Sequence, residues 1–316
     1  PLAAFALFCL SLPSAPLALP QKTTSPTRFE KLSIQKNSKR CKRHYRIQID
    51  SLRVLGTTPN LKPLLETQIQ HWLRWALEAE TSTSNSPEAW AQEELQRYEA
   101  QDCEADKTAA QTPWSRILKL KPFFEDERWL VLSFEFVVFE GGAHESRQKQ
   151  FAGWDKETQT PLSLSALSPE IAPLLEAAQT EFRKARELKP EDDLEAKGYW
   201  FENGQFRLSE QFALTECGLL LHYNPYEVAA YALGSIEIFI PPAKLKTLSK
   251  LPPPSPKPYV KAFEYCPYAP PPPKPPPPLP SKTPPKKNTH PPALKPAPKP
   301  LTPPLKPAPT PAPVNP

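Results

Sequence analysis

Trp129-Leu130-Val131-Leu132-Ser133-Phe134-Glu135-Phe136-Val137-Val138-Phe139 runs into Glu140-Gly141-Gly142-Ala143-His144, and Arg147–Trp154 follows. The first run is dense in β-branched and aromatic residues, which pack well on a pleated surface, so it reads as a strand. Glycine accepts the positive φ of a tight reversal, so the Gly-Gly pair predicts that the second run returns beside the first as a hairpin. Just upstream, Ser115–Phe124, with Ile117, Leu118 and Leu120, reads as a further strand. An antiparallel sheet is therefore expected at the centre of the fold.

Outward from that hairpin the periods change. His44–Leu55 alternates Tyr45, Ile47 and Ile49 with Arg46, Gln48 and Asp50, the pattern of a half-buried strand. Gln21–Lys42 is polar without a clear period and reads as a linker. Asn60 is a candidate N-cap for a helix from Leu61 to about Glu80, with Leu64, Leu65, Ile69, Trp72, Leu73 and Leu77 at helical spacing. Pro87 suits the first turn of a second helix, which carries Trp90, Leu95 and Tyr98 and fades near Asp106. After a loop over Asp155–Leu167, Pro169 opens a helix through Leu174, Leu175, Ala178, Phe182 and Ala185. Four short strands are expected over Gln205–Leu208, Phe212–Thr215, Leu219–Tyr223 and Ser235–Ile240. The expected class is α+β, a largely antiparallel sheet with several packed helices, over residues 43–250.

Composition changes sharply at Leu251. Of the 46 prolines, 29 lie between Leu251 and Pro316, with nine lysines and one acid, Glu264. Proline lacks the backbone donor that helices and sheets need, so 251–316 reads as a disordered Pro/Lys-rich tail. An extended polyproline chain of that length reaches roughly 200 Å. It resembles the Pro-Lys spacers of periplasmic energy-coupling proteins; the other reading is docking of its Pro-x-x-Pro units on a partner groove. The rest of the chain holds 30 basic and 33 acidic residues, so the net charge of +5 belongs to the tail. Nucleic acid is not an expected partner, because its recognition wants Lys and Arg clustered on a structured face.

Pro1–Leu12 is apolar apart from Ser11, and small residues and prolines follow to Pro20. This pattern predicts a secretory signal over residues 1–20, truncated at its start since the basic n-region and any Met are missing. It is too short for a membrane span. Phe8 sits where a lipobox before Cys9 wants a small residue. Export to the periplasm or elsewhere in the cell envelope is the expected localisation. The other cysteines, Cys41, Cys103, Cys217 and Cys266, allow three pairings, and their spacing does not choose among them.

Candidate chemistry centres on two segments. His144 could serve as a general base oriented by Glu145 or Glu140, but no Gly-x-Ser-x-Gly elbow accompanies it. Glu135 and Glu140 could form the carboxylate pair of a glycosidase, although acids at strand ends are usually solvated. The plainer reading of Gly141–His144 is a tight turn with the imidazole bonded to the backbone. Tyr223, Tyr226, Tyr231 and Glu227 suggest sugar binding, since aromatic faces stack on sugars. The competing reading is a short helix from Pro225 whose tyrosines lock onto the sheet, favoured by the apolar face of Val228, Ala229 and Ala232. The five histidines are isolated, so neither a metal site nor a cofactor is expected.

Gly141–His144, Trp154-Asp155, Leu162, Leu164 and Leu167, Gly218-Leu219, Tyr223, Pro225–Ala229, Tyr231 and Gly234 occur in an order that resembles the extracytoplasmic domain of RsiV-type anti-sigma factors. The same module forms the N-terminal part of PdaC-type peptidoglycan deacetylases. The resemblance spans roughly Tyr45 to Leu245. Glu145 departs from it, where the family usually has glycine, as does the absence of glycine in Asp155–Pro161. The resemblance implies a non-enzymatic envelope binding or sensing module with a lysozyme-like protein or peptidoglycan as partner. The candidate binding residues are Gly141, Gly142, His144, Tyr223, Tyr226 and Glu227. The alternative is an envelope hydrolase acting on glycan or peptide.

Overall fold

The central hairpin folds as its residues require. In the computed structural model, which describes residues 25–39, 41, 43–101, 112–249, 251–255, 257–263 and 266, strand β4 (Trp129–Phe139) pairs antiparallel with β5 (Ser146–Asp155). Gly141 and Gly142 make the reversal at φ +95° and +93°. On its other side β4 pairs antiparallel with β3 (Trp114–Glu125), and β3 lies parallel to β2 (Tyr45–Gly56). Parallel neighbours need a long crossover, supplied here by α1 (Leu61–Ala76) and α2 (Pro87–Gln101). With β1 (Arg28–Asn37) and the two-residue β6 (Thr160–Pro161) this makes a six-stranded sheet in the order β1-β2-β3-β4-β5-β6. Only the β2–β3 pair is parallel.

Two cores meet on β4. Leu130, Leu132 and Phe134 pack beneath α1 and α2, where Trp72 stacks on Phe134 at 5.5 Å. Trp129 and Val131 point into the second core, which holds α4 (Ile171–Ala185) and a three-stranded antiparallel sheet. That sheet is β7 (Gln211–Thr215), β8 (Gly218–Tyr223) and β9 (Ile236–Ile240), with α5 (Pro242–Leu248) following it; α3 (Leu164–Leu167) is a single turn that buries Leu167. Burial of both faces explains why the first half of β4 is apolar at nearly every position rather than at alternate ones.

Side chains tie the small sheet to the exposed edge of β5. The Asn224 side chain accepts from Lys149 N at 2.6 Å and donates to Lys149 O at 3.1 Å, and Gln211 Oε1 accepts from Phe151 N at 3.0 Å. These amides stand in for a neighbouring strand on an edge that would otherwise leave backbone groups unpaired.

Several expectations need correction. The supposed linker over residues 21–42 contains β1, an edge strand with Ile34 buried and Phe29 half-buried against the core. Most of its side chains face water, so it carries no period to read. Asn60 does not cap α1 with its side chain; the Thr58 carbonyl accepts from Leu61 N and Lys62 N instead. Helix α1 stops at Ala76 because Glu78 turns to φ 51°, and Arg74 gathers the carbonyls of Ala79, Ser82 and Ser84 beyond it. Helix α2 is described to Gln101, and the expected fading towards Asp106 lies outside the described residues. Gln205–Leu208 is not a strand, although Phe206 is buried beside Phe182 and Phe201.

The fold also continues past residue 250. Val260 forms an antiparallel bridge with Glu125, and Phe263 meets Phe123 and Phe239 edge-on at 5.7 and 5.5 Å. Glu216 accepts from Ala262 N and Phe263 N, and Cys217 is disulfide-bonded to Cys266. Cys41 is also disulfide-bonded. The expected disorder of the tail from residue 267 onward, like the signal over residues 1–20, lies outside the described residues. Among the described residues no helix is long and apolar enough to cross a membrane.

Of the eight glycines, Gly218 leaves the least room for a side chain. It sits at φ +112°, and a Cβ there would lie 2.1 Å from the carbonyl oxygen of Ile240. Gly218→Ala is therefore expected to cost about 3 kcal/mol or more, because strain and a backbone clash combine. Urea unfolding checks this; a cost below about 1 kcal/mol would show that β8 and β9 can separate freely there.

Candidate functional site

The Gly141–His144 turn places His144 on the surface at the open end of β5. His144 Nδ1 lies 2.9 Å from the carbonyl oxygen of Glu145. A carbonyl only accepts, so Nδ1 carries the proton and donates, which leaves Nε2 of the neutral ring as an acceptor. Tyr226 OH lies 3.3 Å from Nε2 and donates to it. The turn with its imidazole bonded to the backbone thus forms as expected, and the same imidazole has a tyrosine partner 82 residues away in sequence.

Tyr231 completes the group. Its ring stacks on that of His144, 3.7 Å between centres and 10° between planes. Tyr226 lies 5.5 Å from Tyr231 and 6.2 Å from His144, tilted by 33° and 32°. A third ring continuing the stack would be much farther from one member, so Tyr226 sits beside the pair. The residue is 57% exposed. Its backbone adopts φ 67°, a region that costs a non-glycine residue energy and is enriched at ligand sites.

The loop after β8 makes this placement. Pro225 does not start a helix; residues 225–227 form a turn, and only Tyr231–Leu233 make a 3-10 turn. Val228 and Ala229 do face the core, but Ala232 is exposed. The tyrosines therefore divide. Tyr223 is fully buried and donates to the Arg207 carbonyl at 2.6 Å, with burial holding its phenol well above the ordinary range. It supports the fold and is corrected as a binding candidate. Glu227 is half-buried, accepts from Asn224 N at 2.9 Å and pairs with Arg207 at 3.3 Å, so its carboxylate holds the loop. Gly141 and Gly142 shape the turn and carry no side chain to offer. Of the six candidates, His144 and Tyr226 are brought together at the surface.

Tyr231 is a sugar-stacking candidate from the sequence, but its contact with His144 is set by the tertiary structure, and Glu145 and Arg147 join the group without having been binding candidates. Glu145 and Arg147 pair at 2.6 Å on the rim. Hydrogen bonding to Glu145 is the main influence raising the Arg147 guanidinium, with Glu135 and Tyr231 acting in the same direction despite partial desolvation. Glu140, once a candidate to orient His144, instead pairs with buried Arg116 at 2.5 Å and anchors the root of the turn. On the flanks of the loop Trp200 is 52% and Leu233 41% exposed, and Trp200 N donates to the Val228 carbonyl. Their types carry a signal, but nothing in linear spacing joins residue 144 to 226 and 231.

Comparison with known proteins bears on fold and family. No curated protein sequence matches the chain. A DUF3298-family protein from Bacteroides fragilis NCTC 9343 is similar in structure, with a TM-score of 0.58 at 18% identity over 73% of this chain and 96% of that one. A DUF3298-family protein from Pseudomonas aeruginosa PAO1 is similar too, with a TM-score of 0.54 at 21% identity over 72% of this chain and 95% of that one. Identities this low show a shared fold. Residues 165–243, which hold α4, the small sheet, Tyr226 and Tyr231 but not His144, match the family described as "Protein of unknown function (DUF3298)".

Proposed function

We propose that this chain is an exported, non-enzymatic binding module of the cell envelope, the role that its resemblance to RsiV-type extracytoplasmic domains implies. The observation that carries the reading is the group of exposed His144 and Tyr226 with half-buried Tyr231, assembled from two distant loops and held with one residue at positive φ. Aromatic rings kept at the surface by hydrogen bonds and backbone strain serve contact better than stability. Both ring nitrogens of His144 are engaged, by a carbonyl and a phenol rather than by the carboxylate that would orient a base, which favours binding over hydrolysis.

Peptidoglycan is the first partner to test. A lysozyme-like protein is the second, favoured by the exposed flank of Trp200, Tyr226 and Leu233, because large exposed side chains anchor protein interfaces. Co-sedimentation with purified peptidoglycan and capture on immobilised lysozyme read the two directly. Tyr226→Gly separates binding from folding. It removes the ring but relieves the backbone, so stability should hold or rise by about 1 kcal/mol while binding falls. Undiminished binding by both Tyr226→Gly and His144→Ala would overturn the reading.

A further inference from the structure

We infer that the His144–Tyr226–Tyr231 surface takes the flat face of a neutral pyranose in an envelope glycan; this rests on the binding-module reading and names its ligand class. The three planes lie within 10° to 33° of one another. Rings that enclose a quaternary ammonium stand at steep angles and present several faces to one point. Near-parallel rings with one beside the others make a slab instead. A pyranose with equatorial substituents presents its axial C–H bonds as a flat, weakly positive face, which suits the negative face of an aromatic ring. The offset of Tyr226 from the stacked pair, 5.5 and 6.2 Å between centres, is comparable with the advance of one ring along a β-1,4-linked chain.

Charge narrows the class further. At the rim, Glu145 and Arg147 pair at 2.6 Å and offset each other. A phosphate or another polyanion would be better served by cations without such partners. A paired carboxylate and guanidinium still offer acceptors and donors beside the slab, the arrangement that hydroxyl and acetamido groups of a neutral sugar can use. The backbone carbonyl of Glu145 lies 2.9 Å from His144 Nδ1, so that polar pair borders the rings.

The occupant is thus a neutral hexopyranose chain, and in an envelope protein the abundant source is the β-1,4-linked N-acetylaminosugar backbone of the wall. The strain at Tyr226 fits this role, since a turn relaxed to negative φ would carry the ring away from the stack. The rigid slab also limits what ordering a sugar must impose on the protein, which favours binding of otherwise weak ligands.

The test titrates the full chain with N-acetylglucosamine tetramer, followed by amide and aromatic NMR shifts. Co-sedimentation with peptidoglycan is measured in parallel. Saturable shifts centred on His144, Tyr226, Tyr231 and Arg147 are expected, with affinity reduced about tenfold or more in Tyr226→Gly and retained in Tyr226→Trp, as stacking requires. Saturable shifts elsewhere, or affinity unchanged in Tyr226→Gly, would overturn the assignment of the sugar to this surface. No shift with the tetramer, while Tyr226→Gly still abolishes peptidoglycan or lysozyme binding, would overturn the sugar inference and leave the module reading standing. Wild-type peptidoglycan and lysozyme binding by both Tyr226→Gly and His144→Ala would overturn both.

Discussion

Ending the chain at Leu251 is expected to lower the melting temperature by about 10 °C or more, although the proline content beyond that point argues against folding. The segment up to Cys266 is fastened to the second core and to the β3–β4 turn. Ser255 N donates to Asp126 at 2.7 Å, Val260 pairs with Glu125, and Phe263 packs on Phe123 and Phe239. The Cys217–Cys266 disulfide closes a sequence separation of 49 residues. On a chain-entropy argument, closing a loop of that size is worth about 4 kcal/mol. Each kcal/mol moves the midpoint of a domain this large by about 2–4 °C. Calorimetry on chains ending after Leu251 and after Cys266 checks it: the longer should melt like the full protein. A loss under about 3 °C in the shorter chain would mean that the segment rests on the fold without supporting it.

A second large effect is expected at Lys156 and Glu125. Their charged groups lie 2.8 Å apart, each side chain 1% exposed. Lys156 Nζ also donates to the carbonyls of Ser25 and Asp126, while Glu125 Oε1 accepts from Thr27 N. The pair therefore joins the chain leading into β1, the β3–β4 turn and the end of β5. Removing one partner strands a buried charge, so Lys156→Met or Glu125→Leu alone should cost about 3–5 kcal/mol. Replacing both removes the stranded charge but leaves Thr27 N and two carbonyls short of partners. The double variant should accordingly lose at least about 2 kcal/mol less than the sum of the singles, which a double-mutant cycle in urea reads out. Additive losses would show that water reaches the site and screens the charges.

Much of the fold is written in local pattern. The β-branched and aromatic run of β4, the Gly-Gly reversal and the helical spacing of Leu65, Ile69, Trp72 and Leu73 specify their elements because the chain must bury those side chains at a fixed period. Local pattern is silent where burial is decided by distant partners. In β1 mainly Phe29 and Ile34 turn inward, and the segment from 251 to 266 is held by Val260, Phe263 and one disulfide among prolines. The candidate site divides in the same way. Sequence alone identifies a Gly-Gly turn ending in His144 and a tyrosine-rich loop after β8, each a local departure from helix or strand chemistry. That Tyr223 is buried whereas Tyr226 and Tyr231 flank His144 depends on tertiary structure, because β5 and β8 are joined through Asn224 across 75 residues. Long-range hydrogen bonds and a shared core set that approach, and no spacing along the chain encodes it.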